Sequence, residues 1–180
     1  MACAITGGYA IECTESVGGV ETVYLIENSN LYFDGDSLVT SASGVVTALD
    51  KQLNTRFWKF EVPRGTASAT NSITSTIENG TFYFTHEVKF PINSRSATIR
   101  NIVTTLAKNR LTFVLVEGDG SARMYGNQFG LQMSGTEAGS GVALADRNGY
   151  MLTFTSMERE DFLIVPAEIV ADLEVPGTVD

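Results

Sequence analysis

The sequence predicts a mainly β fold: two packed antiparallel sheets, a β-sandwich or barrel, with one flanking α-helix and a long β-hairpin. Three observations predict it. Across residues 66–90, β-branched and aromatic residues run on both sides of Glu78-Asn79-Gly80, the pattern of two strands around a turn. Ile99, Ile102, Val103 and Leu106 recur at the i, i+3, i+4, i+7 spacing of a helix with one narrow apolar stripe. Charged residues make up 18% of the chain, below the roughly 25% usual for soluble proteins, and Ser, Thr, Asn and Gly fill the gap. With 180 residues, one sizeable core is expected.

Residues 4–13 form a short expected strand with a Gly7-Gly8 irregularity, followed by a Ser16-Val17-Gly18-Gly19 turn. Residues 21–27 continue as a strand with Val23 and Leu25 on one face. Residues 28–44 mix turn residues with brief apolar pieces. Further strands are expected at 45–49 and 56–62, the second ended by Pro63-Arg64-Gly65.

In the hairpin, a type I′ turn requires positive φ at both central residues, which suits Asn79-Gly80. Ile73 would then face His86, and Ile77 would face Phe82. Phe82, Phe84, His86, Val88 and Phe90 point one way; Thr81, Tyr83, Thr85, Glu87 and Lys89 point the other. The first arm carries Ser72, Thr74, Thr76 and Glu78 outward and only Ile73 and Ile77 as large apolar residues inward. A ribbon so poor in apolar side chains is marginal by itself and leaves open backbone edges. Either a neighbouring strand of this chain or an identical ribbon of the next subunit must complete it.

The helix is expected after Pro91, capped by Asn93 or Ser94 and closed by Lys108-Asn109-Arg110 near the negative end of its dipole. The apolar run 111–116 predicts a central strand, and Glu117-Gly118-Asp119-Gly120 turns it into a strand at 122–125. A glycine-rich loop spans 126–149, and Asp146-Arg147-Asn148-Gly149 leads into a strand at 150–155. From residue 156 the pattern fades. The segment 156–180 holds seven acidic residues and Arg159, most of the chain's net charge of −9. Two units follow: a β domain over 1–155 and an acidic arm over 156–180 that orders on a neighbour, with Phe162 and Ile164 in its apolar knot. A C-terminal strand of the same domain is the alternative.

The charge disfavours a grip on nucleic acid or on anionic lipid, both of which call for Lys and Arg. No apolar stretch approaches the roughly 20 residues of a membrane span, and no signal peptide is expected. Cys3 and Cys13 suit buried thiols, although a disulfide between them is open. His86, the single histidine, sits on the apolar face of its arm and is expected in the core with a hydrogen-bond partner. A serine or cysteine nucleophile would find no other imidazole base, so no catalytic residue is assigned. No metal site or cofactor is assigned either. Asp34-Gly35-Asp36 and Asp119-Gly120 suit turns better than calcium loops. Trp58 suits the core better than a ligand platform.

The Ser16-Val17-Gly18-Gly19 turn, the Glu78-Asn79-Gly80-Thr81-Phe82 hairpin and the helix running into 111–116 form one set of features. With them goes the ending Asp146-Arg147-Asn148-Gly149-Tyr150, Leu152-Thr153-Phe154-Thr155. This set resembles tail-tube-like structural proteins of tailed bacteriophages, over residues 13–156. The resemblance implies a homo-oligomer without catalysis: rings, six-fold, stacked into a tube in the virion tail and assembled in the host cytoplasm. It implies contact with other tail proteins and DNA passing without specific binding. Ile73, Ile77, Asn79, Gly80, Phe82, Phe84, Phe162 and Ile164 are the expected inter-subunit residues. Ser72, Thr74, Thr76, Glu78, Thr85 and Glu87 are expected on a channel or solvent face. A single-ring adaptor, terminator or hub of the same fold fits the same residues. So does a β-sandwich adhesin or carbohydrate-binding module using Tyr125 and Phe129 beside the glycine-rich loop.

Overall fold

A computed structural model describes residues 18–76, 78–143 and 146–179. Cys3, Cys13, the strand expected at 4–13, Ser16-Val17 and Ile77 lie outside the described residues. The fold is mainly β. Its elements are β1 (Val20–Glu27), a 3-10 turn (Asn28–Leu31), β2 (Tyr32–Phe33), β3 (Asp36–Ser37), β4 (Val39–Ala42), β5 (Val45–Leu49) and β6 (Trp58–Glu61). Then follow the ribbon β7 (Ser68–Thr76) and β8 (Thr81–Ile92), the helix α1 (Ala97–Leu106), β9 (Leu111–Glu117) and β10 (Ala122–Tyr125). The chain continues through β11 (Gln132–Gly139), β12 (Gly149–Glu158), β13 (Leu163–Val165) and a second short helix, α2 (Ala167–Ala171).

The larger sheet runs β4-β5-β13-β10-β9-β1-β6, and the smaller one runs β11-β12-β8-β7. They meet through apolar side chains. Val23 and Leu25 of β1 and Phe113 and Leu115 of β9 share a core with Val88, Phe90, Leu152 and Phe154 of the smaller sheet. Phe90 stacks on Phe154 at 5.9 Å, and Phe113 tilts against Phe154 at 5.0 Å. Burying each such ring contributes about 1.5–3 kcal/mol. The same core takes Val103 and Leu106, the inward stripe of α1. Ser96, and neither Asn93 nor Ser94, caps this helix: its hydroxyl accepts from the Ile99 N–H at 3.3 Å. The strand before it carries on to Ile92, so Asn93 and Ser94 fall too early.

On the far face of the larger sheet, Val114, Met124, Leu163 and Val165 pack with Leu31, Phe57 and Leu173. β9 is thus covered on both faces, which is why its sequence is a continuous apolar run. Here the segment 156–180 departs from the expected arm. β12 extends to Glu158, and β13 inserts between β10, antiparallel, and β5, parallel. Lys51 then donates its ammonium to the Asp172 and Leu173 carbonyls at 2.7 and 3.3 Å, near the end of α2. Gly177 lies against Lys51 and Gln52, where an added Cβ would fall 2.3 Å from either carbonyl oxygen. Six of the seven acidic residues counted in the arm therefore decorate the domain itself, and Asp180 lies outside the described residues.

Two glycine-based expectations also change. Type I′-like turns with both residues at positive φ occur at Asp34-Gly35 (49° and 90°) and Ser43-Gly44 (53° and 80°). At the tip of the long ribbon, Thr76 pairs with Thr81, leaving a four-residue loop in which Gly80 has a positive φ (61°) and Asn79 does not. Ile73 accordingly pairs with Phe84, two residues from the expected His86. The offset is even, so the inward and outward sets are unchanged. In the glycine-rich stretch, β11 pairs along β12 where only a loop was expected. Gly149 opens β12 because its backbone abuts β8: a Cβ there would lie 2.1 Å from the Ile92 carbonyl oxygen.

Candidate assembly surface

The ribbon is longer than the sheet that holds it. β12 pairs with β8 from Tyr150↔Ile92 to Glu158↔Phe84, so Thr81, Phe82 and Tyr83 project beyond it with the end of β7. Among the described residues β7 is the last strand on its outer side, and at the opposite border so is β11. Burial falls along the inward face toward the tip. Phe90, Val88 and His86 are buried, Phe84 is half-buried, and Phe82 is 56% exposed. Across the ribbon Ile73 is 60% exposed. Phe82 and Phe84 meet edge to face at 5.0 Å, so among the described residues the tip keeps an exposed apolar surface.

The expected assembly residues divide. Ile73, Asn79, Gly80 and Phe82 are exposed at the tip, with Phe84 half-buried behind them. Phe162 is separate from this group: it packs against the core, 5.7 Å from Tyr125 and beneath the Arg123 guanidinium. Ile164 is exposed on β13, in the other sheet. On the outward face, Ser72 and Glu78 are exposed and Thr74, Thr76, Thr85 and Glu87 are half-buried. Glu87 pairs with Lys89 at 2.8 Å, which leaves this face nearly neutral and rich in hydroxyls.

Beneath the ribbon lies a polar pocket that sequence alone did not show. His86 is 2% exposed, yet among the described residues neither ring nitrogen has a partner for the expected hydrogen bond. Its ring meets Tyr125 edge-on at 5.4 Å. With Asn127, Gln128, Glu158 and Asp161 it lines a cavity of about 10 Å³, the scale of one water molecule. The side-chain oxygens of Asn127 and Gln128 are also buried without partners. Burial holds the His86 imidazole below its ordinary 6.5, with Asp161 pulling the other way. Glu158 sits opposite in sense. Burial raises its carboxyl above the usual range, while Ser156 and the Phe129 and Gln128 N–H groups donate to it and restrain the rise. Among the described residues, no three His, Cys, Asp or Glu side chains converge to hold a metal.

A second concavity lies at the other end of the molecule, between α1 and the edge strand β6. It encloses about 1080 Å³ over Leu25, Phe60, Ile102 and Leu106. Trp58, expected in the core, is 56% exposed at its lip with the Arg56 guanidinium 4.4 Å from its ring. Period-two alternation could not reveal this: Trp58 shares a face with Phe60 and Leu25, and it is exposed because it opens β6, the last strand of its sheet among the described residues.

Tyr125, named for a carbohydrate platform, is buried against His86 and Phe162, while Phe129 stays exposed under Arg159. Among the described residues, no helix is long and apolar enough to cross a membrane. No family model, curated protein or solved structure matches the chain.

Proposed function

We propose that this chain is a structural subunit of a bacteriophage tail, a tail-tube-like protein that acts by self-assembly and not by catalysis. The observation that supports this reading is the ribbon that outruns its own sheet, with β7 unpaired along its outer border among the described residues. β12 covers the outer border of β8, so pairing between copies would run from β7 of one copy to β11 of the next. Repeated around an axis, that joins the four-stranded sheets into one closed barrel without edges. The outward hydroxyl face, with Thr74, Thr85 and the Glu87–Lys89 pair, would line its channel. A lining without excess positive charge lets DNA slide, because it displaces few counterions. The resemblance to tail-tube proteins supports six-fold rings, stacked in the virion tail. Negative-stain images and sedimentation of the purified protein test the reading. Rings or tubes are expected; a monomer at high concentration would defeat it.

A further inference from the structure

We infer that the cavity beneath the ribbon is a binding site for one internal water molecule, held by His86 together with the side-chain oxygens of Asn127 and Gln128. The inference goes beyond the assembly reading, because every group it uses belongs to a single copy. Four observations carry it.

The first is a set of polar atoms in want of partners. His86 is 2% exposed. Among the described residues, both of its ring nitrogens and the side-chain oxygens of Asn127 and Gln128 are buried without a hydrogen bond. All three residues line one cavity. Buried polar atoms in native proteins are nearly always paired, with protein or with ordered water. Three residues left over around one space point to an occupant of that space.

The second is the kind of occupant they call for. Burial keeps the imidazole neutral at pH 7, and a neutral imidazole offers one N–H donor and one acceptor nitrogen. The two amide oxygens only accept. A cation satisfies the oxygens and leaves the N–H unmet. An anion satisfies the N–H but faces those oxygens and the carboxylates of Glu158, Glu160 and Asp161, which also line the cavity. Water both donates and accepts, and an internal water typically makes about three hydrogen bonds.

The third is size. The cavity measures about 10 Å³, room for one water molecule and nothing larger.

The fourth is that the buried carboxylate is engaged elsewhere. The Ser156 hydroxyl donates to Glu158 at 2.8 Å, and the Gln128 and Phe129 N–H groups donate to it at 3.3 and 3.1 Å. Glu158 is thereby fixed to the loop backbone and gives the imidazole no hydrogen bond.

The site sits where the ribbon leaves its sheet. His86 pairs with Ser156 on β12, and the last pair, Glu158↔Phe84, follows two residues on. The water therefore ties the loop after β10 to the last covered stretch of β8.

Crystals of the full chain, at a resolution that shows ordered water, test the site. One peak with the scattering of oxygen is expected, about 2.7–3.2 Å from a His86 nitrogen and from the Asn127 or Gln128 oxygen. An empty cavity would overturn the inference. So would rotated side chains that bond His86 directly to either amide, or an anomalous peak after a rubidium chloride soak, which marks a cation. His86→Phe keeps an aromatic ring against Tyr125 and removes both nitrogens; the peak should fall below half its wild-type occupancy. Asn127→Leu serves in the same way if that variant does not fold. An unchanged peak in the folded variant would also overturn the inference. None of these failures touches ring or tube formation, which sedimentation reads separately.

Discussion

At one end of the β7–β8 ribbon, Val88 and Phe90 are enclosed between two sheets; at the other, Ile73 and Phe82 stand in solvent. Both ends show the same alternation of apolar and polar residues. What separates them is coverage. β12 reaches β8 only as far as Phe84, and the core of the sandwich lies behind that point. Alternation therefore states which way a side chain points and leaves open whether anything meets it. An apolar row that continues past its cover is surplus to folding, and such a surplus marks a surface for association.

The largest expected effect sets the two ends directly against each other. Phe90→Ala should cost about 3–5 kcal/mol of monomer stability, since it empties the contact with Phe113 and Phe154. Phe82→Ala should cost about 1 kcal/mol or less, the scale of its edge-to-face contact with Phe84, yet it should weaken assembly. Urea unfolding at dilute concentration, paired with sedimentation at high concentration, reads both quantities. Similar losses of stability at the two positions would erase the distinction.

The turn provides an intermediate test. Gly80→Val places a β-branched residue at φ 61° and should cost about 1–3 kcal/mol. Asn79→Ala should stay within about 0.5 kcal/mol, because Asn79 lacks the positive φ that a two-residue turn would impose. Thermal melts of both variants decide the point. A large loss in Asn79→Ala would restore the shorter turn.

The smallest effect probes the buried half alone. Because the folded protein keeps His86 neutral below its ordinary 6.5, the unfolded chain takes up the proton first on acidification. Stability should then fall as pH drops from 6.5 toward the depressed folded value. Glu158, raised by burial above 4.5, acts in the opposite sense: the folded form holds that proton more readily, so its contribution grows on acidification through its raised pKa. His86→Leu should remove the loss due to the imidazole, at most about 1.4 kcal/mol per pH unit. Phe82→Ala should retain it. Urea midpoints at pH 7.5, 6.5 and 5.5 make the comparison, and parallel profiles for all three proteins would show that His86 is not the titrating group.

Much of the fold was legible where side chains decide structure. The run at 111–116 indicated a strand covered on both faces, and the strands at 45–49 and 122–125 match β5 and β10 residue for residue. The two faces of the ribbon follow from parity and survived an error of two residues in register. β11 was not legible, because its residues are almost all exposed and its pairing with β12 depends on backbone groups that every residue carries. The cap was missed because Asn93, Ser94 and Ser96 all bear capping side chains, and the length of β8 chooses among them. At the candidate surface, the tip residues were identifiable from their pattern. The groove was not: its walls come from β1, β6 and α1, which only the folded chain brings together.

β13 makes the order of synthesis matter. The β4–β5 hairpin joins the larger sheet through residues 163–165 alone, which leave the ribosome long after residue 49. At roughly 5–20 residues per second the wait is on the order of ten seconds. Until the last stretch emerges, the early hairpin has no docking strand, and the apolar layer on the far face of the larger sheet stays incomplete. A nascent chain therefore cannot close its larger sheet until translation is nearly over.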